Sequence, residues 1–188
     1  ITAEEARLLG YIVGDGSVTH SPTFVNADEQ ILSDFEICTA SIGLKTARRQ
    51  PSPSARAYGA KFTTIGIRGA RPWLAIHGLL GGNSYTKRIP AVVLSSSIDV
   101  IANFLGAYWS CDGTISVRNK RARGDIHLSC CTTVNESLAF DVQHALLRLG
   151  ISARVRRRTR KIASKRQGTD EYQYWMVTTS SHEDTVKF

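Results

Sequence analysis

"FLGAYWSCDG", residues 104–113, decides how this chain reads. An apolar stretch of helical character stops at Asp112-Gly113, with small residues at Ala107 and Cys111. "LLGYIVGDG", residues 8–16, does nearly the same, with Gly10 and Gly14 as the small residues and Asp15-Gly16 as the stop. Residues four apart share one face of a helix. Small side chains at that spacing let two helix backbones approach closely. If the two segments are related by a pseudo-two-fold axis, the helices pair in parallel at that axis. Asp15 and Asp112 then arrive side by side.

More landmarks repeat outward from the two stops. Asn26-x-x-Glu29 and Thr133-x-x-Glu136 have the form of capping boxes, each opening an amphipathic stretch that runs to Gly43 or Gly150. Those glycines are placed to act as C′ terminators. Strand-like sequence follows each, "LKTARRQ" and "ISARVRRR", and then a second β-rich run, "AKFTTIGI" and "YQYWMVTT". The second copy is longer between its D-G and its cap, and the basic stretch "RNKRARGD" accounts for the insertion. The first copy closes on a helix, "RPWLAIHGLL", and the second reaches "SHEDTVKF". Thr2 and Ser97 are the expected N-caps of the two motif helices. The pattern predicts an α+β fold of two pseudo-symmetric αββαββα halves. The first half spans residues 1–81 and the second 98–188, joined by a linker over 82–97 that contains "GGNSYTKRIP".

The two aspartates pose an electrostatic problem. A helix C-terminus carries partial negative charge and disfavours a carboxylate. Two carboxylates close together repel, and one holds a proton. The last carbonyls of each helix also lack intrahelical partners. A hard divalent cation resolves all three difficulties, since carboxylate, carbonyl and water oxygens are what Mg²⁺ prefers. Such a site suits metal-assisted hydrolysis of a phosphodiester. The bland alternative is that each D-G is an ordinary turn ending a helix.

Bulk properties agree with a nucleic-acid partner. The 188 residues are 42% hydrophobic, carry a formal charge of +8 and have a pI near 9.6. A basic balance of this size points to a polyanion, nucleic acid before an anionic membrane surface. The basic residues fall on strands and loops rather than on an amphipathic helix, which argues against a membrane surface. No apolar run is long enough to span a bilayer and no secretory leader is visible. The four cysteines form no C-x-x-C pair, so structural zinc is not expected. They read as reduced thiols of an intracellular, cytoplasmic protein. The five histidines show no metal-binding spacing, and Trp73, Trp109 and Trp175 read as packing residues.

"LLGYIVGDG" and "LGAYWSCDG" resemble the paired dodecapeptide motifs of the LAGLIDADG homing endonucleases, and the repeat resembles that family's half over essentially the whole chain. "DVQHALLRLGISARVRRR" and "SHEDTVKF" resemble in particular the endonuclease domains lodged in inteins. The resemblance implies a monomer that straddles a long, non-palindromic DNA duplex with its sheets as a saddle and cuts both strands. It implies Mg²⁺ as cofactor, with Ca²⁺ or Mn²⁺ as possible substitutes. Asp15 and Asp112 would hold the metal, helped by the carbonyls of Gly14 and Cys111. A basic or polar residue near each acid would be Lys61 in the first half and Gln173 in the second, from aligning Ile67 with Thr179. That inequality suggests unequal cutting of the two strands. The chain departs from the family at Val13 and Ser110, where a non-ligand acid is usual, and at Ala107, where glycine is usual. The alternative on the same scaffold is a non-cleaving nucleic-acid-binding module, a maturase or a transcription regulator. With the sequence starting on the first motif helix, protein splicing by this segment itself is not expected.

Arg154, Arg156, Arg158 and Arg160 alternate along the strand after Gly150, and period two puts all four on one sheet face. Such a row suits phosphates and guanine edges. Lys45, Arg48, Arg49 and Arg56 occupy the matching region of the first copy, and Arg118, Lys120, Arg121 and Arg123 lie in the insertion.

Overall fold

The computed structural model describes residues 1–120, 124–164 and 168–187. The chain falls into two compact units, one comprising Ile1–Asn83 and Lys87–Asp112, the other Ser84–Thr86 and Gly113–Phe188. Each unit carries one four-stranded antiparallel sheet, and the fold is the α+β arrangement that the repeat predicts.

The first unit opens with α1 (Ala3–Asp15), capped by the Thr2 hydroxyl, which accepts from the Glu5 N–H at 3.1 Å. The chain continues through β1 (Gly16–Ser17), β2 (Thr23–Asn26), α2 (Glu29–Ser41), β3 (Lys45–Arg49), a one-turn α3 (Pro53–Ala57), β4 (Thr63–Arg68) and α4 (Arg71–Ile76). A short α5 (Ala91–Leu94) leads into the second motif helix, α6 (Ile98–Asp112). The sheet order is β1-β2-β4-β3. The second unit holds β5 (Gly113–Lys120), β6 (Gly124–Thr133), α7 (Glu136–Arg148), β7 (Ala153–Ser164), β8 (Gly168–Thr179) and α8 (His182–Lys187). Its order is β5-β6-β8-β7, the same path through the sheet. The insertion in the second copy appears as lengthened β5 and β6 strands.

Both amphipathic helices end as their glycines predict. Gly43 and Gly150 have φ of 76° and 71°. At α2, Gly43 N–H donates to Ala40 and Leu44 N–H to Thr39; at α7, Gly150 N–H donates to Leu147 and Ile151 N–H to Leu146. This is the Schellman pattern at both ends. The helix starts differ from expectation. The N-caps are Asp28 and Asn135, two residues beyond Asn26 and Thr133. The cause is that Asn26 and Thr133 are each the last residue of a strand, still extended and paired, so the helical turn cannot begin there.

Within the first unit, α1 and α6 pack in parallel at van der Waals distance. A Cβ built on Gly10 collides with the Phe104 carbonyl and lies 2.9 Å from Ala107 Cβ; one built on Gly14 lies 2.7 Å from Cys111 Cβ. Equivalent positions of the two motifs therefore face each other. Gly16, by contrast, needs space rather than a special dihedral: its φ is −76°, but a Cβ there comes within 2.7 Å of Ile12 Cα. Around this seam, Leu8, Leu9, Ile12, Ile101, Phe104, Leu105 and Tyr108 are fully buried. Phe24 and Phe35 stack at 4.3 Å beneath α1, joined by Tyr11. Trp73 and His77 of the α4 region both reach Glu5 of α1, at 2.9 and 3.2 Å. In the second unit, Leu138, Val142, Ala145 and Leu146 of α7 are buried together with Cys131, Ile151 and Val177.

The seam sets a test. Gly10→Ala gains helix propensity of up to about 1 kcal/mol, but the added methyl has nowhere to go, and overpacking costs about 1–3 kcal/mol. Gly106 has open space around its Cβ position. Gly10→Ala is expected to lower the melting temperature and Gly106→Ala to raise it, each by a few degrees on the scale of ~2–4 °C per kcal/mol for a chain of this size. Thermal denaturation of the two variants side by side checks this.

Candidate active site and nucleic-acid interface

Asp15 and Asp112 are the last residues of α1 and α6, so the close seam delivers both carboxylates to the same end of the helix pair. Asp15 is half-buried and accepts from Asn26 Nδ2 at 3.2 Å. Asp112 keeps an open flank to solvent, yet crowding by protein around its carboxyl pushes its pKa up to about 6. The charge of Asp15 adds to the rise and Lys87 opposes it. The Cys111 thiol hydrogen-bonds to Asp15 and is pushed well above the ordinary thiol range, chiefly by burial.

Lys87 is the residue that sequence reasoning missed. It is 6% exposed, and its ammonium donates to the carbonyls of Ile12, Gly14 and Gly16 at 3.1, 3.2 and 3.0 Å. A protonated lysine has three N–H donors, and here they meet the end of α1, where intrahelical partners run out. Burial lowers its pKa while Asp112 and Asp15 pull it back up. No local signal marks this lysine in "GGNSYTKRIP". Its partners lie more than seventy residues away, and only the unmatched carbonyls at the helix end pointed to a donor.

The donor set fits a hard cation. Among the described residues, no three His, Cys, Asp or Glu side chains form a metal-holding cluster. The protein instead offers two carboxylates and helix-end carbonyls, of which Gly14's already accepts from Lys87 with one lone pair. That set suits an ion that retains several waters, as Mg²⁺ does, rather than a closed zinc cage. The two auxiliary candidates sit in matching registers. Thr63 pairs with Asn26 and Trp175 with Thr133, and Lys61 and Gln173 each lie two residues earlier. Lys61 is exposed in the coil before β4 rather than on the strand; Gln173 is exposed on β8 opposite Thr159.

The arginines divide by face. Arg154, Arg156, Arg158 and Arg160 are all exposed along β7, as their alternation predicts. They stand opposite Thr178, Met176, Tyr174 and Tyr172, so the same face presents two tyrosines whose rings lie 6.1 Å apart. Gln173 belongs to the opposite face. In the first unit, Arg48 departs from expectation. It turns toward α2, bridging Glu29 and Glu36, and these carboxylates hold its pKa above the ordinary guanidinium value. Arg49 lies on the other face, in a concavity shared with Arg68 and Arg71 that sequence reasoning did not single out. Lys45 pairs with Arg68 on that face. Arg56 is exposed on α3. Arg118 and Lys120 lie on β5, and Arg121 and Arg123 fall outside the described residues.

Comparison with known proteins follows the same lines. Residues 99–188 match the family model of the LAGLIDADG-like domain. The chain is 30% identical over 201 aligned positions to the replicative DNA helicase DnaB of Rhodothermus marinus, covering all of this chain and 20% of that protein. It is 30% identical to the replication factor C small subunit of Methanocaldococcus jannaschii, covering 86% of this chain and 8% of that one. It is 29% identical to RecA of Mycobacterium tuberculosis, covering 83% and 20%. The chain thus spans a fifth or less of these relatives. Among solved structures, a mesophilic variant of the homing endonuclease I-DmoI superposes with a TM-score of 0.61 at 12% identity, covering 99% of this chain and 86% of that one. The N-terminal LAGLIDADG domain of DUF199/WhiA gives 0.59 at 11%, covering 99% and 81%. I-DmoI in complex with DNA and Mn gives 0.58 at 13%, covering 99% and 93%. No described helix is long and apolar enough to cross a membrane.

The raised pKa of Asp112 fixes a pH dependence. Its ordinary value is near 4, so between about pH 4 and 6 the folded state binds this proton more tightly than the unfolded chain. Stability therefore falls as pH rises through that window. Asp112→Asn removes the penalty. In the absence of divalent cations the variant is expected to melt higher than the wild type at pH 8, with the gap closing as the pH drops toward 4. Melting curves across that range in the presence of a chelator check the sign.

Proposed function

The chain has the LAGLIDADG fold, and from that premise we propose that it is a homing endonuclease, a monomer that makes a metal-dependent double-strand break in a long, non-palindromic DNA site. The observation that carries this reading is the pairing of Asp15 and Asp112 at adjacent helix ends, close enough that Asp15 raises the pKa of Asp112. Two mutually repelling carboxylates at one end of the helix pair favour a cation-binding, cleaving site over DNA binding alone.

Asp15 and Asp112, with the carbonyls of Gly14 and Cys111, would hold Mg²⁺, and Mn²⁺ or Ca²⁺ are its natural substitutes. When bound, the ion would activate water and stabilise the departing oxygen. The chain's own residues do the rest. Lys87 clamps the end of α1 and sets a fixed positive charge beside both acids. Lys61 and Gln173 are the candidates for contacting the scissile phosphates. The exposed face carrying Arg154, Arg156, Arg158 and Arg160 with Tyr172 and Tyr174, and the face carrying Lys45, Arg49, Arg68 and Arg71, would take phosphates and base edges of duplex DNA. Arg56, Arg118, Lys120, Arg121 and Arg123 would extend that contact. Arg48 is engaged by Glu29 and Glu36 and would reach DNA only on releasing them.

The relatives support an intein-associated setting. The DnaB helicase, the replication factor C small subunit and RecA each match this chain over a fifth or less of their own length. One segment matching parts of differently named proteins is what an inserted element would leave. The second reading, a DNA-binding module without cleavage, draws on the same fold in WhiA.

A cleavage selection on a randomised duplex library, run in Mg²⁺ and in Ca²⁺, separates the two. Discrete cuts in Mg²⁺ alone are expected. Asp15→Ala and Asp112→Ala should each abolish cutting of the recovered site and leave its binding intact, and a chelator should do the same to the wild type. Specific retention of DNA without cuts in either metal would leave the module reading in place.

A further inference from the structure

The two sheets share one frame and differ in reach. Residues 23–26 of β2 pair with 66–63 of β4, and residues 130–133 of β6 pair with 178–175 of β8. These blocks are equivalent position for position. Gly16 pairs with Phe24 where Gly113 pairs with Cys131, and Ala47 pairs with Gly66 where Arg154 pairs with Thr178. The outer ladders differ. In the first unit the β1/β2 ladder stops where Ser17 meets Thr23, and the β3/β4 ladder where Arg49 meets Thr64, neither past the block. In the second, β6 stays paired with β5 from Ser129 on to Gly124, and β8 with β7 from Tyr174 on to Gly168. These two ribbons overhang opposite ends of the block, by six and seven residues. The sequence explains the difference. Arg49 is followed by Pro51 and Pro53, which have no N–H to give a ladder, and Pro53 opens α3 instead. Pro22 stands directly before β2, and no proline follows Pro90. At the positions of Pro51 and Pro53 the second sheet has Arg158 and Arg160, and at those of Ala60 and Phe62 it has Tyr172 and Tyr174. Both arginines are exposed, and the tyrosine rings lie 6.1 Å apart.

We propose that the chain reads a lopsided DNA site, in which the arm on the β5–β8 sheet is about six base pairs longer than the arm on the β1–β4 sheet. This rests on the endonuclease reading above. A two-stranded ribbon fits the major groove. A strand advances ~3.3 Å per residue and duplex DNA ~3.4 Å per base pair, so each residue of overhang adds about one base pair of reach. Because the ribbons overhang opposite ends of the block, one of them lengthens the arm whichever end of the sheet faces the cut. The overhang also carries its own recognition groups. Arg158 and Arg160 suit phosphates and guanine edges, and the rings of Tyr172 and Tyr174 offer apolar surface to thymine methyl groups.

The experiment maps hydroxyl-radical footprints on the recovered target duplex, held in Ca²⁺ so that it stays intact, against the position of the Mg²⁺ cut. Protection is expected to run about six base pairs further on one side of the cut than on the other. Arg49 and Arg156 occupy equivalent positions of the two sheets, so their alanine variants identify the arms. Arg49→Ala should relax base preference in the short arm and Arg156→Ala in the long one. Arg158→Ala and Arg160→Ala should relax preference in the long arm alone, each lowering the salt slope of binding by about one. Three results overturn the proposal: arms of equal length, a longer arm on the sheet that carries Arg49, or a long arm that Arg158→Ala and Arg160→Ala leave unchanged. Retention of the DNA without cutting overturns the endonuclease reading instead. The midpoint between the positions marked by Arg49→Ala and Arg156→Ala then replaces the cut, and the same comparison of arms decides. A chain that retains no DNA overturns both.

Discussion

The closeness of α1 and α6 is the constraint on which the site depends. Two helices can bring their ends together only if nothing stands between their backbones, and Gly10 and Gly14 remove the side chains that would. Ala107 and Cys111 stand opposite on the partner face, their β-carbons within 2.9 and 2.7 Å of where a β-carbon on the glycines would be. The seam is thus a distance gauge. It sets the separation of Asp15 and Asp112 through rigid helical backbone rather than through flexible side chains.

That gauge creates its own electrostatic burden, and the structure answers it within the first unit. Two helix C-termini and two carboxylates concentrate negative charge, and Lys87 brings a buried positive charge to the end of α1. The answer is partial. The pKa of Asp112 is still pushed up to about 6 by crowding and by Asp15, so Lys87 offsets only part of the burden.

What the sequence made legible was whatever is encoded locally. The small-residue faces at Gly10, Gly14, Ala107 and Cys111 follow from helical spacing, and the ends of α2 and α7 follow from Gly43 and Gly150, since a Schellman turn involves only adjacent residues. The arginine row on β7 follows from period two. The helix starts were misplaced by two residues because Asn26 and Thr133 are good capping types that are still engaged in strands. Arg48 and Arg49 are neighbours on β3 and cannot share a face; which of them turns outward was settled by Glu36 and Glu29, on another element. Lys87 was illegible for the same reason. Its role is defined entirely by carbonyls that are distant in sequence.

The sorting of charge across the first unit's sheet has a consequence for how this molecule meets a partner. On the helix side, Arg48 is cancelled by Glu29 and Glu36; on the other side, Lys45, Arg49 and Arg68 stay uncompensated by those acids. The sheet is therefore electrically polar from one face to the other, although its strands contribute almost no net dipole of their own. In the field of a polyanion such a body feels a torque as well as an attraction. Such a field would turn its basic face inward before any atom touched, so that a larger share of encounters with a polyanion would begin with that face leading. That advantage fades as added salt shortens the range of the field to about 10 Å at 0.1 M.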